Sequence, residues 1–175
     1  MIKVAVPITG KDEYKSIKNI IFSGKFVNGK YVELFEKKFA NYIGTKYAVC
    51  FNSGTAALHA SLSALNLREK DEVIVPSISF ISSATAILHQ GCKPIFCDVK
   101  LDNYCLDSKS LESKITKNTK AIIPVHFAGS ACEMAEITRI AKKYKLKIIE
   151  DCSQAHGTKI KNKKVGSLGD ISCFS

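Results

Sequence analysis

The sequence has no tryptophan, two methionines, four prolines and, in 175 residues, only two arginines, Arg68 and Arg139. Scarce proline and 10 scattered glycines leave no linker, collagen-like or low-complexity segment. The shortage of arginine bears on function. The formal net charge is +10, and all but two of the 26 cationic side chains are lysines. Surfaces that read phosphates and bases lean on arginine forks, and these lysines are spread along the whole chain. The charge therefore reads as a solvated surface, with neither nucleic acid nor membrane as partner.

CxxC pairs are also lacking. The seven cysteines (Cys50, Cys92, Cys97, Cys105, Cys132, Cys152 and Cys173) are odd in number and sit mostly in apolar runs such as AVCF and PIFCDV. They read as small buried hydrophobes in a reducing compartment, not as a disulfide framework or a metal site. No secretory leader is expected, since Lys3 is soon followed by Pro7 and Gly10. Val73–Cys92 carries no charge, but Pro76, Ser77, Ser79, Ser82, Ser83, Thr85, His89, Gln90 and Gly91 make it too polar for lipid. A soluble, cytoplasmic protein is expected.

What is present is an alternation. Tyr47–Phe51, Glu72–Val75, Pro94–Val99, Ala121–Phe127 and Lys147–Glu150 are continuous apolar runs, the pattern of strands buried on both faces. Between them lie helical stretches over Ala56–Leu67, Ile81–Gln90, Ser108–Ile115 and Glu133–Tyr144. In the last, Ile137, Ile140, Ala141 and Tyr144 recur at helical spacing opposite Lys142 and Lys143. Two further helices, Asp12–Ser23 and Tyr31–Tyr42, flank a glycine-bearing loop from Gly24 to Gly29. The fold class is α/β, one domain with a mostly parallel sheet and helices on both faces. Gly169–Ser175 begins another strand at the very end of the sequence. The sheet is expected to be incomplete there, with an uncovered edge.

In open α/β sheets ligands gather at the carboxyl ends of the strands. After Tyr47–Phe51 comes Ser53-Gly54-Thr55 and a helix, where free amides, hydroxyls and the helix dipole suit a phosphate or simply form a cap. After Glu72–Val75 comes Phe80, a core residue or an aromatic platform. After Lys147–Glu150 come Asp151, Gln154 and His156, with Glu150 on the opposite face. Asp151 reads as a general base, a metal ligand or the partner of a ring nitrogen. A metal would need more ligands at compatible spacing, and none is assigned. His126 ends another run and faces either this rim or the interior. His59 and His89 lie in helical stretches and receive no role.

The ordered segments YAVCFNSGTAALHASLSAL, KDEVIVPSISF, GCKPIFCDV, TKAIIPVHFAG, IIEDCSQAHG and GSLGDISCFS resemble the DegT/DnrJ/StrS aminotransferases. The likeness covers essentially the whole chain. It implies fold type I, with residues 1–175 as the amino-terminal part of the large cofactor-binding domain and the small domain absent. It implies pyridoxal 5′-phosphate as cofactor and amino transfer from glutamate to a nucleotide-linked keto-sugar, in amino-sugar or polysaccharide biosynthesis, by an enzyme that is a homodimer when intact. Gly54 and Thr55 would hold the phosphate, Ser53 would define the turn, and Ser175 would reach the phosphate. Phe80 would stack on the ring, Asp151 would pair with its nitrogen, and Gln154 would bond near its phenolic oxygen. His126 and His156 would lend support from behind. The Schiff-base lysine of the family lies beyond Ser175, so no catalytic residue is assigned and the isolated chain is expected not to turn over. Two alternatives are a dehydratase of the same fold using the pyridoxamine form, and a non-catalytic half that pairs with a complementing chain.

Overall fold

The computed structural model describes residues 6–27 and 29–175; Lys3, used above against a leader, and Asn28 of the glycine-bearing loop lie outside them. Two helices open the chain, α1 (Lys11–Ser23) and α2 (Lys30–Ile43), each ended by a left-handed glycine, Gly24 and Gly44. There follow α3 (Gly54–Ala64), β1 (Glu72–Pro76), α4 (Ser82–His89), β2 (Lys93–Cys97) and the short α5 (Ser108–Leu111). The rest is β3 (Thr119–Ile122), α6 (Met134–Tyr144), β4 (Lys147–Asp151), a two-stranded hairpin β5 (Lys159–Ile160) and β6 (Lys163–Lys164), and β7 (Ile171–Cys173).

Five strands form one parallel sheet in the order β2-β1-β3-β4-β7. Side chains alternate across it, so each β-branched strand feeds two cores. Val73, Val75, Ala121, Ile123 and Ile149 pack with Leu58 and Leu62 of α3 and Ile87 of α4. Ile74, Ile122 and Ile148 pack with Leu111 of α5 and Ile137 and Ile140 of α6. The expected α/β class, parallel sheet and double helical cover are all present. The strand expected over Ala121–Phe127 is shorter because Pro124 has no N–H to give to a ladder. Its carbonyl still accepts from the Asp151 amide, at 2.9 Å, and Val125 bridges Asp151.

One strand fails. Tyr47–Phe51 joins no ladder among the described residues, and Tyr47, Val49 and Phe51 are exposed. An apolar run becomes a buried strand only beside another strand. Here a cavity of about 880 Å³ lies between this segment and residues 166–175. Among the described residues β7 has one sheet neighbour, β4, and is one edge of the sheet, with β2 the other. The same exposure corrects the reading of Cys50, which is exposed, whereas the other six cysteines are buried; all seven are free thiols.

Candidate functional site

The chain runs outward from β1 to β2 and then crosses to β3 on the other side of β1, so the carboxyl ends of the central strands form a topological switch point, where open α/β sheets place their ligands. Helix α3 begins at that rim. Ser53 is its N-cap, and its hydroxyl accepts from the Ala56 amide at 3.1 Å. The Gly54 and Thr55 amides have no acceptor among the described residues. The Thr55 hydroxyl shares a 2.7 Å hydrogen bond with Ser82 at the start of α4, so the two helix starts are tied together. Gly54 is required by space: a Cβ there would stand 2.8 Å from Ser175 Cβ and 3.1 Å from Ser175 Oγ, with Ser153 Oγ at 3.6 Å. Two amides without an acceptor, the Ser175 and Ser153 hydroxyls packed against Gly54, and the positive end of an 11-residue helix therefore meet at this helix start.

Asp151 ends β4 on the α3/α4 side of the sheet and is only 4% exposed. Its Oδ1 accepts from the Ser153 amide at 3.1 Å and the Ser153 hydroxyl at 2.7 Å, and its Oδ2 accepts from the Ser83 hydroxyl at 2.8 Å. Since a carboxylate oxygen takes two donors, Oδ1 is saturated and Oδ2 keeps one lone pair. Ser153 thus links the carboxylate to the Gly54 turn. Phe80 lies between β1 and α4 and is 69% exposed, so it is not a core residue. Gln154 is exposed, and its Oε1 accepts from the Ala128 amide at 2.7 Å. That contact holds the positive-φ turn at Ala128 (φ 49°) and directs the amide NH2 elsewhere as a donor.

The two histidines separate from this group. His156 is exposed and packs against Phe174 (5.3 Å between centroids) and Phe39 of α2 (6.5 Å), an aromatic cluster that seats α2 on the end of β7. His126 is fully buried and does not face the rim. It shares the strand parity of Glu150, on the face opposite Asp151. The Cys132 amide donates to His126 Nδ1 at 3.1 Å, which places the ring proton on Nε2, and Nε2 donates to Glu150 Oε2 at 3.0 Å. Glu150 also accepts from the amides of Gly166, Leu168 and Gly169, at 2.7–2.8 Å. Burial pushes the Glu150 carboxyl up, but His126 and the three amides more than offset it and hold it below its ordinary value.

His126, Glu150 and Cys152 come within 4.8 Å of one another. The donor set does not suit a cation, because the histidine and carboxylate atoms are already committed to protein donors. Burial, with Glu150 and Asp151 nearby, also pushes the Cys152 thiol upward, away from the thiolate a metal needs. The cluster is a latch between β3, β4 and the 166–169 loop. The sequence reading missed Ser82, Ser83 and Ser153. The linear signal for Ser82 and Ser83 is the density of serine in an uncharged stretch, and for Ser153 its place two residues after Asp151.

The profile of the DegT/DnrJ/EryC1/StrS aminotransferase family matches residues 7–175. The chain is 43% identical over 165 residues to dTDP-3-amino-3,6-dideoxy-alpha-D-galactopyranose transaminase of Aneurinibacillus thermoaerophilus, covering 94% of this chain and 46% of that protein. Among solved structures it superposes on the aminotransferase from Psychrobacter cryohalolentis with a TM-score of 0.94 and 36% identity, over 97% of this chain and 43% of that one. It also superposes on NtdA of Bacillus subtilis with bound PMP, with a TM-score of 0.87 and 38% identity, over 92% of this chain and 36% of that one. The chain thus spans less than half the length of the relatives it matches.

Proposed function

The chain belongs to the DegT/DnrJ/EryC1/StrS aminotransferase family, and from that premise we propose that it is the cofactor-binding part of a pyridoxal-phosphate aminotransferase acting on nucleotide-linked keto-sugars, with glutamate as amino donor. The observation that carries the reading is the pairing at one rim of an open helix start with a buried carboxylate that keeps a lone pair. A phosphate matches the first and a protonated ring nitrogen the second. The residues present therefore fit the cofactor.

In this reading the Gly54 and Thr55 amides bind the phosphate, with the Ser53, Thr55 and Ser175 hydroxyls around it. Oδ2 of Asp151 accepts the proton-bearing ring nitrogen. Phe80 covers one face of the ring and excludes water from it. The Gln154 NH2 donates toward the phenolic oxygen while its carbonyl anchors the Ala128 turn. His126 stays out of the site and holds its floor through Glu150, and His156 acts through packing on Phe39 and Phe174. When bound, the cofactor supplies an electron sink for carbanion chemistry at the amino carbon. The protein's task is to keep that ring protonated and oriented.

Amino transfer also needs a lysine amine as covalent anchor and proton carrier. The hairpin lysines have no such post: Lys164 donates to the Tyr42 carbonyl and lies over the Tyr42 ring, 4.1 Å from its centroid. We assign that amine, and the small domain, to sequence outside these 175 residues, so that the chain binds the cofactor without bonding to it. The enzyme is a cytoplasmic homodimer in this proposal. Seven free thiols support the compartment, and no helix among the described residues is long and apolar enough to cross a membrane. The exposed Tyr14, Ile17, Ile21 and Phe22 of α1, a helix that buries none of its residues, support a subunit contact.

The test is titration of the chain with pyridoxal phosphate, then borohydride reduction and mass spectrometry. Saturable binding is expected, weakened by Asp151→Asn, with no stoichiometric pyridoxyl adduct on any lysine. A full adduct on one lysine contradicts the assignment of the amine.

A further inference from the structure

Helix α4 starts in a run of serines, yet no side chain caps it: the residue at its N-cap is Ile81, without a capping bond. The hydroxyls that would serve are committed elsewhere. Ser82 goes to Thr55, Ser83 donates to Asp151 Oδ2 at 2.8 Å, and Ser79 lies 2.8 Å from Ser83 Oγ. A hydroxyl has one proton. Since Ser83 gives its proton to the carboxylate, the Ser79–Ser83 bond must run from Ser79 to Ser83. The result is a directed chain, Ser79 to Ser83 to Asp151. Ser83 is 1% exposed, a place where alanine would favour the helix more and bury no polar atom. The hydroxyl stands here against both preferences.

The bond also decides which carboxylate lone pair is left. Ser153 fills Oδ1 with two donors. Ser83 fills half of Oδ2 and fixes the rotation of the group about its Cβ–Cγ bond. We propose that Ser83, polarised by Ser79, is a positioning residue: it aims the remaining Oδ2 lone pair so that the carboxylate meets the cofactor's ring nitrogen in one orientation. This deepens the cofactor reading and rests on it.

The test uses the 175-residue chain and ring-15N-labelled pyridoxamine 5′-phosphate, with affinity and the bound ring-nitrogen shift as readouts. Ser83→Ala is expected to weaken binding about tenfold, the lower end of the range for losing a hydrogen bond to a charged group, and to move the nitrogen shift toward that of the free compound. Ser83→Thr restores both, and Ser79→Ala gives a smaller change of the same sign. If Ser83→Ala does not fold, Ser83→Cys, which keeps the shape and weakens the donor, decides by the same readouts. Unaltered affinity and nitrogen shift in the Ser83 variant, while Asp151→Asn weakens binding, overturn the positioning role alone. No binding by the unaltered chain, or binding that Asp151→Asn leaves intact, overturns the cofactor reading and this inference with it.

Discussion

Two carboxylates stand side by side on β4 and have opposite fates. Glu150 points to the α6 side, is fully buried, and is met by His126 and three backbone amides. Asp151 points to the α3/α4 side, is met by Ser83 and Ser153, and keeps one lone pair at a rim that opens beside a helix start. The difference follows from the two-residue period of a strand, which sends neighbours to opposite faces. A carboxylate whose every lone pair is taken by the protein is structural; in the proposed function the one left partly open at a strand end meets the cofactor.

The largest effect expected is on the closed side. Glu150→Ala strands His126 Nε2 and three amides in the interior, and urea denaturation should show a loss of about 3–5 kcal/mol, as when one partner of a buried polar pair is removed. Asp151→Asn should reverse the pattern. Calorimetric titration with pyridoxamine phosphate is expected to show about hundredfold weaker binding, equivalent to about 2.7 kcal/mol, with urea stability changed by less than about 1 kcal/mol. Equal stability losses in the two variants would erase the contrast.

Gly169→Ala probes the latch loop more gently. An added Cβ would meet Ile148 Cγ2 at 2.9 Å and the Ile148 carbonyl at 3.0 Å, so a stability loss of about 1–3 kcal/mol is expected with cofactor affinity retained. The smallest effect is the pH dependence. Because the folded Glu150 carboxyl lies below its ordinary value, its contribution is present above the unfolded value of about 4.3 and is lost as pH falls through the folded one. Asp170 adds in the same direction: burial pushes its carboxyl up, and Lys147 with the Ile148 amide more than offset this. Acid unfolding curves should steepen below about pH 4.3, less so in Glu150→Gln.

Much of this contrast was legible in the linear sequence, since an apolar run ending Glu150-Asp151 already sends the two acids to different faces. The observed strands begin at Glu72, Lys93, Thr119 and Lys147, and those expected from Glu72, Pro94, Ala121 and Lys147 were legible because β-branched runs with helices between them call for a parallel sheet. Tyr47–Phe51 was not. Its composition is that of a buried strand, but pairing is a property of its neighbours, and the space beside it is a cavity. His126 was ambiguous until its parity was counted from Ile122. Ser83 was invisible, because its partner is 68 residues away and a serine at a helix start reads first as a cap.

The central claim is that Gly54 and Thr55 hold a phosphate while Asp151 holds the ring it belongs to. Backbone 1H–15N spectra of the chain, recorded with pyridoxamine phosphate and with unphosphorylated pyridoxamine, test it most directly. The account predicts that the Gly54 and Thr55 amides shift strongly with the phosphorylated compound and little with the other, while the Ser153 amide beside Asp151 responds to both. Amides of Gly54 and Thr55 that stay in place at saturation would contradict it.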